Sequence, residues 1–407
     1  MITTVLSGTA DPAGFPLLAV ASEVLKSGKH FLDPESLEAL RRARLTVTAS
    51  AHSARRSLVL NFLDVVLDKA DGRYDYLTYT AQPLFPIVTD DSPDRRRDRT
   101  VALLLADLLT FELTELAGEL DVLPEMRPSP ELVAKRLRLA LRAARPAAQR
   151  VGVTDDLDGT DTGPDPAREF AAAVMATGTA AERDLLCLTM QPVATLHDEY
   201  LFLRVLQAFE ATFAAQAQRL RATITALDAG DPLAAARLLE RNSEELREAG
   251  TIFSLIATMQ VEAFRTFRAF TEGASAIQSE SYKAMESLCR QPNPDRLAGL
   301  PYTSVPKVRE AVLAGQPTVW EAVMAAEGRI GADDARVLAE AMSEYEAVMR
   351  RWRRTHHSIA VRMLGDTAGT GYTVGTPYLR SAMDLPVFDM VDPRRGITPN
   401  GGSAATR

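Results

Sequence analysis

Residues 197–210 read HDEYLFLRVLQAFE, and this stretch shows the pattern that recurs through most of the chain. Its apolar residues lie three or four positions apart, from Leu201 to Phe209. That spacing places them on one face of an α-helix. Asp198 and Glu199 fall in the first turn, where negative charge interacts favourably with the helix dipole. The stretch therefore predicts an amphipathic helix with an acidic first turn.

Similar helical patterns lie on both sides of this stretch, and alternating strand patterns are rare. Apolar residues recur at helical spacing in residues 128–149, 198–227, 232–249, 252–271 and 331–364. The shorter run 58–66 also favours helix because of its length and flanking residues. We therefore predict an all-α protein.

A change in composition divides the chain. Residues 152–166 read GVTDDLDGTDTGPDP, which is typical of a flexible acidic linker. A calcium-binding loop is excluded because the twelfth position from Asp156 is Ala167 rather than glutamate. The predicted organisation is an N-terminal helical domain, the linker, a second helical domain and a disordered tail, at residues 1–151, 152–166, 167–390 and 391–407.

Composition narrows the class of protein. The 407 residues carry a net charge of −8, and this acidic balance disfavours nucleic acid as a partner. No apolar run reaches the roughly 18 residues of a membrane span, and residues 1–20 lack the basic start of a signal peptide. Cys187 and Cys289 are too few for a disulfide framework, which favours a reducing cytoplasm. Their apolar neighbours predict two buried thiols.

A second informative segment reads FRTFR at residues 264–268 and continues as SAIQS at 275–279. Its Arg268 lies on an otherwise aromatic helix face. Such an arginine either extends to water or holds a carboxylate through two parallel hydrogen bonds. The sequence pattern alone leaves both interpretations open.

A third segment reads RWRRTHH at residues 351–357 and leads into GTGYTVG at 369–375. Two histidines on a helix are candidate ligands of a metal ion or a heme. Adjacent helix positions point about 100° apart, so His356 and His357 cannot both ligate the same iron. The glycine-rich loop lacks the Lys-Ser/Thr ending of a phosphate-binding loop and follows a helix rather than a strand.

In this order, the three segments resemble the heme-dependent tryptophan 2,3-dioxygenase family, over roughly residues 184–385. They are similar to its HDE-x-LF helix, to its F-R-x-x-L…S-G-F-Q-S segment and to its W-R-x-x-H…G-T-G-G-S-S-G segment. The resemblance implies a helical-bundle domain that binds heme b. The additional N-terminal helical domain looks more like that of the related indoleamine 2,3-dioxygenases.

The resemblance also implies roles for individual residues. His356 would be the proximal ligand of the heme iron, and Arg268 would hold the substrate carboxylate. The substrate-binding residues that it implies are Phe202, Leu206, Phe264, Arg268 and Thr370. The cofactor-binding residues that it implies are Ser275, Ala276, Trp352, Gly369, Thr370 and Gly371.

Two positions depart from the family pattern. Leu206 precedes Gln207 where the family has its distal histidine, and Phe264 stands where the family has a carboxylate-binding tyrosine. Neither side chain can form the corresponding hydrogen bond. No residue is therefore assigned as a catalytic acid or base, and His197 is interpreted as structural.

We expect an oxidoreductase that binds an aromatic L-amino acid and O2, with no nucleic acid or membrane partner. The first expectation is a cytoplasmic dioxygenase of L-tryptophan or a substituted tryptophan, giving an N-formylkynurenine-type product of tryptophan catabolism. The alternative is a heme-dependent monooxygenase that hydroxylates a tryptophan derivative or tyrosine in a natural-product pathway. A non-catalytic heme or ligand sensor is less favoured, because Arg268 and Thr370 are both retained. A homo-oligomer, dimer or tetramer, is expected, unless the long N-terminal region covers its own site.

Overall fold

The computed structural model describes residues 2–6, 12–90, 92–153, 163–365 and 376–389. Of the described residues 75% are helical, and these residues contain no β-strand beyond one isolated bridge between Glu125 and Leu196. The predicted all-α fold is therefore confirmed.

The helices are numbered in chain order. They are α1 (Ile2–Leu6), α2 (Leu17–Ser27), α3 (Pro34–Ala49), α4 (Ala54–Val66), α5 (Tyr76–Tyr79), α6 (Pro93–Leu116), α7 (Pro130–Arg150), α8 (Pro164–Thr177), α9 (Ala180–Thr189), α10 (His197–Asp228), α11 (Pro232–Ile256), α12 (Val261–Thr271), α13 (Glu280–Cys289), α14 (Pro294–Ala298), α15 (Leu300–Thr303), α16 (Pro306–Leu313), α17 (Val319–Ala326), α18 (Ala332–Leu364) and α19 (Thr376–Met383). Short 3-10 helices lie at Pro12–Gly14, Lys29–Phe31, Gln82–Leu84 and Ala276–Gln278.

The helices follow the predicted pattern closely, and one break between two helices lies at a different position. The break predicted between residues 249 and 252 lies further along, because α11 continues to Ile256 and α12 begins only at Val261. Cys187 is exposed, so the predicted burial of this thiol is wrong, whereas Cys289 is buried as predicted. Adjacent helix positions face different directions, so the buried Leu186 and Leu188 do not bury the cysteine between them.

The chain forms two compact units whose borders differ from the predicted domains. The first unit comprises Met1–Ala211, Thr251–Gln278 and Val361–Gly375, and the second comprises Thr212–Gly250, Ser279–Ala360 and Thr376–Arg407. Most of the predicted linker and all of the predicted tail lie outside the described residues. The predicted division at residues 152–166 therefore stays a prediction.

Helix α6 is the centre of one part of the first unit. Ser92 caps its N-terminus by accepting a hydrogen bond from the Arg95 N–H, and Pro93 occupies the first turn. Leu103, Leu104 and Leu105 are all fully buried, which is expected of a helix covered on every side. Helices α7, α8 and α9 pack against it.

A second apolar cluster in this unit lies among α2, α3 and α4 and encloses a buried ion pair. The Lys29 Nζ donates to Asp68 Oδ2 at 2.7 Å and to the Val65 carbonyl at 3.1 Å. The Thr78 hydroxyl donates to the same Asp68 oxygen at 2.8 Å. Both charged side chains are fully buried, so their pairing offsets part of the lost hydration, and Lys69 Nζ lies 3.4 Å from the same Asp68 oxygen.

The second unit contains a buried charge cluster around Glu286 on α13. Its carboxylate contacts the cations of Lys283, Arg296 and Arg353 at distances of 3.0, 2.9 and 3.2 Å. Burial alone would raise the pKa of Glu286, but the three cations hold it well below its usual range. The cluster therefore links α13 and α14 to Arg353 on α18.

Within the described part of the chain, no helix is long and apolar enough to cross a membrane.

The Lys29–Asp68 pair gives a stability prediction. Lys29→Met removes the closer of two ammonium groups at the buried Asp68 carboxylate and leaves Lys69 at 3.4 Å, so we expect the free energy of unfolding to fall by about 2 kcal/mol. The matched control is Lys26→Met, because Lys26 pairs with Glu23 on the surface at 3.2 Å. This control should lower the free energy of unfolding by less than about 1 kcal/mol. Urea unfolding of both variants measures their free energies of unfolding. An equal fall in both would contradict the stabilising role of the buried Lys29–Asp68 pair.

Candidate functional site

Helix α10 presents a partly open face in the first unit. Phe202 and Leu206 are half-buried, whereas the three residues between them are fully buried. The two side chains lie four positions apart and therefore share one face of the helix. The next residue, Gln207, is fully buried and donates from Nε2 to the Thr189 carbonyl at 2.9 Å. Leu206 thus faces accessible space while Gln207 holds the helix in the core.

Aromatic rings surround Phe202. The centroid of its ring lies 5.6 Å from that of Phe264 and 5.5 Å from that of Phe267. Phe264 and Phe267 meet edge to face at 5.5 Å. The structure therefore brings Phe202 and Phe264 together as an aromatic wall, and adds Phe267, which the sequence analysis did not single out. We call Phe202, Phe264 and Phe267 the aromatic wall.

Arg268 follows the aromatic wall on α12. It lies four positions after Phe264, on the same helix face, and both side chains are half-buried. Burial lowers the pKa of the Arg268 guanidinium. A partly dehydrated cation gains from a negatively charged ligand, because the ligand replaces hydration that burial has removed. The position is therefore suited to a carboxylate.

The predicted Ser275 and Ala276 lie in the loop that follows α12. Ala276 is exposed and Ser275 is half-buried. The Gln278 Oε1 accepts from the Ser275 N–H at 3.3 Å and from the Tyr76 N–H at 2.8 Å. A side chain on Gly273 would meet the Tyr74 carbonyl oxygen at 2.8 Å from its Cβ, so this loop packs tightly against residues 74–79.

Tyr79 is a further residue that the sequence analysis missed. Its ring centroid lies 6.5 Å from that of Phe202, and its hydroxyl donates to Glu199 Oε1 at 3.3 Å. The N-terminal region therefore reaches both the aromatic wall and the loop at residues 273–278 of the same chain. Nothing in the local sequence signals this contact, because Tyr79 and Phe202 are more than a hundred positions apart.

The acidic start of α10 anchors neighbouring backbone. Glu199 is fully buried and accepts from the N–H groups of Val193 at 2.7 Å and Ala194 at 3.0 Å. His197 is also fully buried, with Nε2 3.4 Å from Glu112 Oε2 and its ring against Phe111. These contacts fit the structural role predicted for His197, and they are internal to the first unit.

The predicted iron ligand lies in the second unit. His356 is half-buried on α18, and its ring centroid is 5.3 Å from that of Trp352, one turn earlier. Trp352 is buried and stacks with Tyr282 at 5.6 Å. Phe213 meets the Trp352 ring edge to face at 5.3 Å. The indole ring is thus packed on two sides, and it restricts the imidazole beside it.

The chemistry of His356 fits a heme ligand. Burial, with a smaller effect of neighbouring His357, lowers the pKa of the His356 imidazole to about 4. The imidazole is therefore neutral near pH 7, which is the form that binds a metal. The Nε2 of His357 is buried without a hydrogen-bond partner among the described residues, and nothing in the structure assigns it a function. Gly369, Thr370 and Gly371 lie outside the described residues, so their roles stay predictions.

Comparison with known proteins supports the resemblance. No family model matches the chain. A tryptophan 2,3-dioxygenase of Bradyrhizobium sp. is 26% identical over 266 residues, which cover 55% of this chain and 94% of that protein. One of Anaeromyxobacter sp. is 26% identical, over 53% of this chain and 94% of that protein. One of Ruegeria pomeroyi is 27% identical, over 55% of this chain and 95% of that protein.

These relatives confirm the predicted similarity to the superfamily of tryptophan and indoleamine 2,3-dioxygenases. Each alignment spans almost all of the relative but only about half of this chain. Nearly half of the residues therefore lie outside the part that these relatives share with it.

The buried carboxylate of Glu199 gives a pH prediction. Burial raises its pKa from 4.5 to about 7, although the Val193 and Ala194 N–H groups and Lys29 lower it. The folded state therefore retains a proton that the unfolded chain releases near pH 4.5, so the free energy of unfolding falls as the pH rises between these values. Between these two pH values, the free energy of unfolding of the unmodified protein should fall by about 3 kcal/mol more than that of Glu199→Gln.

Denaturant unfolding at several pH values measures this loss. Glu119→Gln is the control, because Glu119 is exposed and its removal should leave the pH dependence unchanged. Parallel stability curves for the unmodified protein and Glu199→Gln would contradict the prediction.

Proposed function

We propose that this protein is a heme-dependent oxygenase of L-tryptophan or a ring-substituted tryptophan. In the proposed reaction both atoms of O2 enter the indole C2–C3 bond, giving an N-formylkynurenine-type product. The names of the related proteins support an oxygenase that acts on tryptophan. This proposal assigns the aromatic wall to the indole ring and Arg268 to the carboxylate.

The observation that carries the proposal is the combination of the aromatic wall with a cation on one helix. Phe264 and Arg268 share a face of α12, and Phe264 contacts Phe202 of α10. An aromatic amino acid presents a flat apolar ring and a carboxylate a few ångströms away. The wall offers the ring edge-to-face and tilted partners, and the guanidinium offers the carboxylate two parallel N–H donors.

His356 would ligate the iron, and Trp352 beside it would contact the porphyrin. Ser275 and Ala276 stay predicted cofactor-binding residues. When bound, ferrous heme supplies the centre at which O2 binds and is activated. The residues of this chain contribute mainly orientation, because a ring held in one position reacts far faster than one that tumbles. The rings of Tyr79 and Phe267 pack beside that of Phe202 and restrict its movement.

Leu206 provides no proton donor or acceptor at the proposed site. It shares the open face of α10 with Phe202 and carries no group that accepts or donates a proton. The indole N–H would therefore meet an apolar surface, and no side chain at this position could remove its proton. The proposed reaction accordingly depends on positioning rather than on acid–base chemistry by α10.

The same observation favours a second candidate, hydroxylation of a tryptophan derivative or tyrosine. Leu206 lacks the hydrogen-bonding group that the family pattern places there, so the site is less restricted to indole, and Phe264 lacks the hydroxyl that the family pattern places near the carboxylate. A phenol or a substituted ring would find the same aromatic wall and the same guanidinium.

Product mass separates the two reactions. The heme-loaded, reduced protein is supplied with L-tryptophan under isotopically labelled O2, and the product is analysed by mass spectrometry. Incorporation of two labelled atoms with kynurenine-type absorbance supports the dioxygenase. One labelled atom, or turnover of tyrosine alone, would replace it with the hydroxylase. Absence of heme uptake would overturn both.

The adjacent histidines give a prediction about heme binding. His356→Ala should lose stoichiometric heme binding, because it removes the neutral imidazole that would ligate the iron. His357→Ala is the matched control and should retain heme. The heme content per chain, measured from the absorbance after reconstitution, checks this. Loss of heme in His357→Ala with retention in His356→Ala would reassign the ligand.

Arg268 gives a prediction about substrate binding. Arg268→Ala removes a charge-assisted pair of hydrogen bonds, so KM for L-tryptophan should rise about 10- to 100-fold. Heme content should stay the same. Arg265→Ala is the control, because Arg265 is an exposed arginine one turn earlier on α12. An unchanged KM in Arg268→Ala would remove Arg268 from the substrate site.

A further inference from the structure

We infer that the N-terminal region positions the substrate-binding helix. Residues 112–136 hold the start of α12, and through α12 they determine where Phe264 and Arg268 lie. The structural part of this inference is independent of the function. Only its last step, the effect on binding of a substrate carboxylate, rests on the proposed function.

The first anchor is the fully buried guanidinium of Arg136 on α7. Its Nη1 donates to Glu112 Oε1 at 3.0 Å, its Nη2 to Asp198 Oδ1 at 2.6 Å, and its Nε to Thr258 Oγ1 at 3.2 Å. Nη2 also lies 3.3 Å from the Thr258 carbonyl oxygen. Rotation of this group would deprive two buried carboxylates of their cation, so it is held in one orientation.

Asp198 transmits this constraint to α12. One carboxylate oxygen accepts from Arg136, and the other accepts from the Gln260 N–H at 2.6 Å. Gln260 is the N-cap residue of α12, and the first N–H groups of a helix have no acceptor within the helix. Asp198 belongs to α10, the helix that carries Phe202. It therefore fixes the start of α12 against α10.

A second anchor comes from the neighbouring turn of the N-terminal region. The Gln260 Nε2 donates to the Met126 carbonyl at 2.7 Å. Glu125, one residue earlier, donates from its N–H to the Thr195 carbonyl at 3.1 Å and accepts from the His197 N–H at 3.0 Å. One short segment of the N-terminal region thus contacts the starts of both α10 and α12.

The geometry of α12 explains why its start matters. Phe264 and Arg268 lie four and eight residues after Gln260, or about 6 and 12 Å along the helix axis. The helix has only 11 residues, so a small rotation at its first turn moves Arg268 by a larger distance. A displacement of about 1 Å is enough to weaken an oriented hydrogen bond to a carboxylate. Arg136 is therefore a positioning residue that acts through α12.

Hydrogen exchange of the heme-loaded protein without substrate tests the anchoring. Arg136→Lys keeps the charge, but one ammonium cannot reach all three groups, and Gln260→Ala removes the Met126 contact without changing charge. Both variants should speed amide exchange in residues 258–268 about tenfold. The control is Arg150→Lys, on the same helix, which alters an ion pair with Asp98 of α6 at 2.7 Å. Unchanged exchange in both variants, or an equal increase in the control, would overturn the anchoring.

A double-mutant cycle tests whether Arg136 acts through Arg268. Calorimetric titration with L-tryptophan gives the dissociation constants of the unmodified protein, Arg136→Lys, Arg268→Ala and the double variant. Arg136→Lys should weaken binding about fivefold when Arg268 is present and less than about twofold when it is absent. Equal effects in both backgrounds would overturn the positioning role. If the unmodified protein does not bind L-tryptophan, the proposed function fails, while the exchange data still decide the anchoring.

Discussion

The buried guanidinium of Arg136 joins α7 to α6, to α10 and to the segment that precedes α12. Dehydrating two carboxylates and a guanidinium is unfavourable unless each finds its partner, so Glu112, Asp198 and Arg136 must come together as one group. The HDE stretch follows from this requirement. Its histidine and its two acids all face inward, where they bind the N-terminal region or neighbouring backbone. The side chains of the HDE stretch therefore make contacts within the fold, and the residues that follow it on α10 form the candidate site.

In this arrangement two successive parts of α10 have different contacts. The charged first turn of α10 fixes its start, and the next turns present Phe202 and Leu206 to accessible space. Since neither the aromatic wall nor Leu206 can exchange protons, the proposed site would recognise the shape of a ring and the charge of a carboxylate. Such a site would tolerate substituents on the ring better than one that hydrogen-bonds the indole N–H. The proposed substrate class follows from this property.

The sequence predicts local features well and long-range contacts poorly. Helical spacing predicts α7, α10 and α18, because the apolar residues on one face of a helix recur every three or four positions in the sequence. That Phe202 and Phe264 belong to one substrate site is implied only by the resemblance to a family. Tyr79 and Arg136 were missed, because each meets α10 from far along the chain and neither lies in a recognisable motif. Burial of Cys187 was predicted from its neighbours in sequence, which do not determine the face on which a residue lies.

The central proposal is that the protein holds a heme through His356 and binds an aromatic amino acid through the aromatic wall and Arg268. Optical titration of the heme-loaded ferric protein with L-tryptophan tests this claim most directly, because an amino acid bound close to the iron alters the heme absorption spectrum. The account predicts a saturable spectral change with one amino acid per heme. An unchanged spectrum with L-tryptophan and with other aromatic amino acids, in protein that holds a full complement of heme, would contradict it.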